Sequence, residues 1–245
     1  MQFTDTGTLI RWQLDDIDVV APLHDKPGGG SRGGVYLCIP NFEDLSPPFS
    51  IKHGEYRTTV CDVKLPHQKN LAASNENDWG NIEVVTDWEE TDEQHNKTLK
   101  VTTTIRALSE TALVRPGFHP YFSITPNSFV DIAGTRIDVT TLPHDSMRAY
   151  PAVTPSDPVK LNTEEFAVSM ACEISPLSQP IALAFGVWSD KKAEYVCIEP
   201  IIGKQLGADG LPTPLELTQS EELLMVFTIR AESTKIAVTL PNAKR

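Results

Sequence analysis

The stretch Lys97-Thr-Leu-Lys-Val-Thr-Thr-Thr-Ile-Arg106 sets the fold class. Apolar and polar residues alternate along it with a period near two, and it is dense in Val, Ile and Thr. That pattern is a β-strand with one face in a core. Ile82-Glu-Val-Val-Thr-Asp-Trp88 and Tyr56-Arg-Thr-Thr-Val-Cys-Asp-Val-Lys-Leu65 have the same character. Outward from these, strands are expected at 9–14, 17–23, 35–40, 112–114, 119–124, 129–132, 166–174, 181–188, 195–198, 223–230 and 235–240. Nineteen prolines and clusters of Asn, Asp, Ser and Gly punctuate them, as closely spaced turns require. Only Thr163-Glu-Glu-Phe166 and Thr218-Gln-Ser-Glu-Glu222 hint at a helical start, each no more than a turn. The expectation is an all-β sandwich or barrel, mostly antiparallel. The proline-rich stretch 150–158 is taken as a surface connection, so residues 1–245 are expected to form one domain.

Composition narrows the function. The formal charge of the 245 residues is −12, with the acidic residues spread along the chain. A nucleic acid or an anionic membrane would need a dense basic surface, so neither is expected as a partner. A small or neutral ligand fits, and an anionic one would need a local positive exception. Cys38, Cys61, Cys172 and Cys197 each lie in an apolar run and lack the spacing of a zinc or redox motif. They are expected to be small buried hydrophobes in a reducing compartment. The polar start Met1-Gln-Phe-Thr-Asp5 is not expected to be a signal peptide, and no run approaches the ~20 apolar residues of a membrane helix. A cytoplasmic protein is expected, as a monomer or weak homo-oligomer.

Four residues or groups stand out chemically. His119 lies in Arg115-Pro-Gly-Phe-His-Pro-Tyr-Phe-Ser-Ile124, where Pro120 pushes it toward an extended conformation and stiffens the support of its imidazole. Glu199, in Tyr195-Val-Cys-Ile-Glu-Pro-Ile201, is expected to end an apolar strand, with Pro200 interrupting the ladder. A carboxylate there is costly unless paired, and partial burial would make it a better base. Arg32 lies among five glycines in the segment 28–34, a cation whose planar donors suit phosphate and sugar oxygens. His53 and Arg57, in Lys52-His-Gly-Glu-Tyr-Arg57, would share a face if the segment were extended. His24, His67, His95 and His144 have polar, turn-like surroundings and are expected at the surface. Serine nucleophile elbows, paired-histidine metal motifs and dinucleotide fingerprints are absent.

Taken in order, Ser31-Arg-Gly-Gly-Val35 with Ile39-Pro-Asn-Phe42, then His53-Gly-Glu-Tyr-Arg57, Gly117-Phe-His-Pro-Tyr-Phe122 and Cys197-Ile-Glu-Pro200 resemble the aldose 1-epimerase (galactose mutarotase-like) family, above all its hexose-6-phosphate mutarotase branch. The resemblance implies a large antiparallel β-sandwich with a sugar cleft across one sheet. It also implies interconversion of the α and β anomers of an aldose without metal or organic cofactor. His119 then matches the general acid at the ring oxygen, Glu199 the base at the anomeric hydroxyl, and His53 a histidine that orients the sugar. Arg32 and Arg57 would clasp a 6-phosphate, and Asp138 matches an aspartate that accepts a sugar hydroxyl. Departures stand against the pattern, among them two at the site. Glu55 follows His53-Gly54 where the family has an aromatic or aliphatic residue, and Ile201 replaces a frequent aromatic that would stack on sugar. These departures keep a non-catalytic carbohydrate-binding sandwich as the alternative.

Overall fold

The computed structural model describes residues 1–25, 31–42, 48–49, 51–61, 67–72, 79–142, 146–152, 158–189 and 194–234. The strands of the amino-terminal part are β1 (Gln2–Phe3), β2 (Leu9–Arg11), β3 (Gln13–Leu14), β4 (Ile17–Asp18), β5 (His24–Asp25), β6 (Ser31–Arg32), β7 (Val35–Cys38) and β8 (His67–Ala72). The middle contributes β9 (Asn81–Glu93), β10 (Asn96–Ala107), β11 (Thr111–Val114), β12 (Gly117–Ser123), β13 (Phe129–Ile132), β14 (Thr135–Asp138) and β15 (Arg148–Pro151). The rest holds β16 (Val159–Asn162), β17 (Phe166–Ile174), β18 (Ala182–Trp188), β19 (Tyr195–Gly203), β20 (Leu215–Thr218) and β21 (Glu222–Ser233). Among the described residues one short 3₁₀ turn, Val139–Thr141, is the sole helical element, and no helix is long and apolar enough to cross a membrane.

Seven strands form one sheet in the order β1-β2-β7-β12-β19-β18-β15, and eight form a second, β14-β13-β16-β17-β21-β10-β9-β8. The long alternating strands occupy the middle of the second sheet, where β10 pairs antiparallel with β9 and with β21. Their apolar residues Leu99, Val101, Ile105, Leu223, Met225, Phe227 and Ile229 are fully buried, while alternate positions carry Thr, Lys and Arg outward. The two sheets meet through this face. Phe118 of β12 stacks on Phe227 of β21 with ring centroids 4.7 Å apart and planes within 6°.

The middle of the first sheet differs, because β12 and β19 are buried on both faces. That accounts for the near-continuous apolar run Tyr195-Val-Cys-Ile-Glu-Pro-Ile-Ile. Its outer face carries a separate apolar cluster, including Tyr36, Cys38, Phe42, Tyr121, Tyr195, Cys197 and Ile201. None of the four cysteines forms a disulfide, and all are buried, as expected.

Several local expectations change. The run 9–14 is split into β2 and β3, and β3–β4 turn through Asp15 and Asp16, both with positive φ as a type I′ hairpin requires. Residues 56–59 turn and 60–61 are irregular, in place of a strand, since the carbonyl of Glu55 is bonded by the amides and hydroxyls of Thr58 and Thr59. Residues 62–66 and the expected strand 235–240 lie outside the described residues. Glu199 does not end its strand: β19 continues through Pro200 to Gly203. Thr163 and Thr218 each open a single turn, as expected: the Thr163 hydroxyl accepts from the Glu165 and Phe166 amides, and the Thr218 amide and hydroxyl donate to Glu221. His67 is fully buried, edge-on to Phe3 at 5.3 Å, because β8 pairs with β9 and turns it inward. His24 and His95 are exposed as expected, and His144 lies outside the described residues.

Phe227→Ala is expected to destabilise the protein by about 3–5 kcal/mol, the usual loss for a buried phenylalanine. Urea unfolding measures it; a loss below about 1 kcal/mol would mean the sheets are not held together at this stack.

Candidate functional site

Cross-strand geometry brings His119 and Glu199 together. Strands β12 and β19 pair antiparallel at Gly117–Ile201 and again at Tyr121–Cys197. Between these points Pro120 and Pro200 withhold two N–H donors, and the register sets His119 directly across from Glu199 on the outer face. Their side chains touch, with His119 Nε2 2.9 Å from Glu199 Oε1. Both side chains are about 5% exposed or less, so each satisfies a polar group that burial would otherwise penalise. Gly186 of β18 lies opposite Glu199 on its other flank. A Cβ there would come within 3.1 Å of Glu199 Oε2 and 2.2 Å of Met147 Sδ, so the glycine makes room for both.

Aromatic rings hold the imidazole. Tyr36, its register partner on β7, and Tyr121, two residues on along β12, pack on His119 with centroids at 4.7 and 4.8 Å. Burial raises the pKa of both phenols, so they act as neutral hydroxyls. Phe42 comes within 5.9 Å of His119 and 5.2 Å of His53. It is seated against Gly117, where a Cβ would meet the phenyl ring at 2.4 Å, and is bonded through its backbone to Arg115.

His53 arrives on a turn. Its φ is +65°, and Gly54 follows at +70°, with the position of a Cβ on Gly54 only 2.1 Å from the Ile39 carbonyl oxygen. Tyr56 anchors this loop: it is 2% exposed, its amide donates to Ile39 O and its hydroxyl donates to Thr86 Oγ1 at 3.1 Å. The buried Lys69 adds a bond to the Tyr56 carbonyl at 2.7 Å. The His53 ring therefore meets His119 edge-on at 5.1 Å. Desolvation lowers its pKa to about 2, with the neighbouring His119, Lys52 and Arg57 adding to the effect, so His53 is a neutral imidazole.

The other sequence candidates divide. Arg57 reaches the rim through that turn, not through strand alternation; it donates to the Tyr36 hydroxyl at 3.3 Å and lies over the Tyr36 ring. Arg32, on β6, lies over Trp188 at 4.9 Å, on the far side of the outer cluster from Tyr36. The two arginines thus rest on different rings. Residues 26–30 of the glycine segment lie outside the described residues. Asp138 is not brought to the site: it ends β14, an edge strand of the other sheet, and caps the 3₁₀ turn through Thr140 N and Oγ1 at 2.9 and 2.7 Å. Glu55 is half-buried with its pKa raised by desolvation, and Arg57 bonds Tyr36 rather than this carboxyl. Ile201 is buried, and aromatic surface comes from Trp188 on the adjacent strand instead. Cys197 and Tyr36 also lie beside the His119–Glu199 pair, and no motif in the sequence assigns either of them a role. Their strand parity was readable, but their partner strands were not.

A desolvated, half-buried histidine held neutral penalises acidic conditions. The unfolded chain binds a proton near pH 6.5, the folded one only near pH 2, so this contribution to stability falls as pH drops below about 6.5. Between pH 7 and 5 it amounts to about 2 kcal/mol. Urea unfolding at the two pH values is expected to show a loss smaller by about that amount in His53→Gln; equal losses would mean His53 is not held neutral.

No known family profile matches this sequence, and no curated protein is significantly similar to it. Solved structures are similar in fold. The Slr1438 protein from Synechocystis sp. PCC 6803 has a TM-score of 0.63 at 14% identity, over 94% of this chain and 89% of that one. A candidate aldose 1-epimerase from Escherichia coli K12 has a TM-score of 0.53 at 14% identity, over 94% of both chains. A galactose mutarotase-like protein from Lactobacillus casei ATCC 334 has 0.53 at 13%, over 81% and 85%. At such identities the likeness is one of architecture: the chain is a large antiparallel β-sandwich of the galactose mutarotase-like kind.

Proposed function

We propose that this chain is an aldose 1-epimerase that interconverts the α and β anomers of a hexose, with hexose 6-phosphates among its substrates. The observation that carries the reading is the contact between His119 and Glu199, on the outer face of one sheet and bordered by aromatic rings and a neutral histidine. The ring oxygen and the anomeric hydroxyl of a pyranose are bonded to the same carbon. Their acid and base must therefore be neighbours, not opposite walls of a slot, and a pair 2.9 Å apart suits that demand.

The steps balance in protons. The pair holds a proton between His119 Nε2 and Glu199. The sugar takes the place of this contact; Glu199 accepts the proton of the anomeric hydroxyl while His119 delivers its own to the ring oxygen, and the ring opens to the aldehyde. Rotation about the bond between the first two carbons presents the other carbonyl face. Glu199 then protonates the carbonyl oxygen, His119 takes the proton of the attacking hydroxyl, and both return to their starting states. His53, neutral, can accept or donate a hydrogen bond to a sugar hydroxyl. Arg57 at the rim supplies the local positive charge that a 6-phosphate needs in a chain of net charge −12.

The closed state of the pair supports a second reading, a sugar-binding sandwich without turnover; binding seen by calorimetry without anomeric exchange would favour it. For the catalytic reading, anomeric exchange of glucose, galactose and glucose 6-phosphate by NMR or polarimetry is the test. Glu199→Gln is expected to lower the exchange rate about 10²–10⁴-fold while far-UV circular dichroism stays unchanged. A folded, fully active Gln variant would refute the base assignment. Arg57→Ala is expected to raise KM for the phosphosugar about tenfold and leave the free sugar unaffected. Equal losses for both would show that Arg57 serves the hexose itself.

A further inference from the structure

The same face carries a third ligand-type atom that the proton relay does not use. Cys197 lies two residues before Glu199 on β19, so strand alternation turns its thiol to the same side. It is also the register partner of Tyr121 and is fully buried. One ligand atom each from His119, Cys197 and Glu199 fall within 4.8 Å of one another. We propose that these three side chains form a binding site for a thiophilic divalent metal ion, Zn²⁺ in the first place, and that the occupied site blocks the proton chemistry of the pair.

The donor set fits. Thiolate, imidazole and carboxylate are all zinc ligands, and three protein ligands leave a fourth position for water or a sugar hydroxyl. With Zn–S about 2.3 Å and Zn–N or Zn–O about 2.0–2.2 Å, tetrahedral ligands stand roughly 3.3–3.7 Å apart. The widest pair of the set has to draw in by up to about an ångström, while the 2.9 Å contact between His119 and Glu199 opens slightly to admit the ion, movements within reach of side-chain rotation. Packing by Tyr36 and Tyr121 limits the imidazole's freedom, which lowers the ordering entropy lost on binding. Charge also balances: the thiol proton and the proton held between His119 and Glu199 leave to solvent, and the thiolate and carboxylate neutralise the dication. With both Nε2 and the carboxylate engaged by metal, neither can move a proton to or from a sugar, so the site is inhibitory. The inhibitory consequence rests on the proposed function; the metal site itself does not.

The test uses the full-length protein, reduced and chelator-free, titrated with Co²⁺ and then Zn²⁺. One equivalent of Co²⁺ is expected to bind with a near-ultraviolet thiolate charge-transfer band that Zn²⁺ abolishes. Cys197→Ser is expected to lose the band, and Cys61→Ser to keep it. Glu199→Gln, which preserves the thiol, is expected to weaken Zn²⁺ binding at least about tenfold in competition with a chromophoric chelator. A band of equal strength in Cys197→Ser, unchanged Zn²⁺ affinity in Glu199→Gln, or no uptake by the parent protein would overturn the proposal. Because metal uptake is the readout, absence of anomeric exchange would leave this result standing.

Discussion

The site depends on one cross-strand register. Prolines are normally excluded from the middle of a sheet because each lacks a ladder donor. Here Pro120 and Pro200 lie in adjacent central strands, within the stretch where hydrogen-bonded pairing lapses between Gly117–Ile201 and Tyr121–Cys197. A slip of one residue would turn His119 and Glu199 toward opposite faces. The register is protected from the other side: Phe118, the neighbour of His119, fills the core by stacking on Phe227. Inner-face packing thus holds the outer-face pair in position.

Burying an imidazole and a carboxylate on an aromatic-lined face is unfavourable for either alone. Their mutual contact offsets much of that penalty. His53, a ring's width away, is kept neutral by the same desolvation, so positive charge does not accumulate beside His119. Formal positive charge comes instead from Arg57 and Arg32, each resting on an aromatic ring toward the rim. The arrangement separates a covered, ion-paired centre from a charged border.

The fold was most legible where strands were long and one-sided. The alternation in 82–88 and 97–106 marks β9 and β10, and 129–132 and 166–174 coincide with β13 and β17. Strands such as β14, β16 and β20 are four residues long, too short for their alternation to stand out in the sequence, and β8 buries the polar His67 and Lys69. Tyr56-Arg-Thr-Thr-Val60 misled for the opposite reason: β-favouring residues are folded into hydroxyl-capped turns by Gly54 and the anchored Tyr56. His67 looked exposed because its neighbours in sequence are polar, whereas β9 and Phe3 surround it in space.

For the site, the chain carried its own pointers at His119, Glu199 and His53, where proline and glycine stiffen or bend the backbone beside a titratable side chain. It also carried the parity of every strand residue, which is local and follows from the pleat alone. Parity says which residues share a face of one strand, but not which strand lies alongside. That choice rests on the summed packing of distant segments, as Phe118 on Phe227 illustrates. So Tyr36 and Cys197 joined the site, and Asp138 went to an edge strand of the other sheet, only when the sheets had assembled.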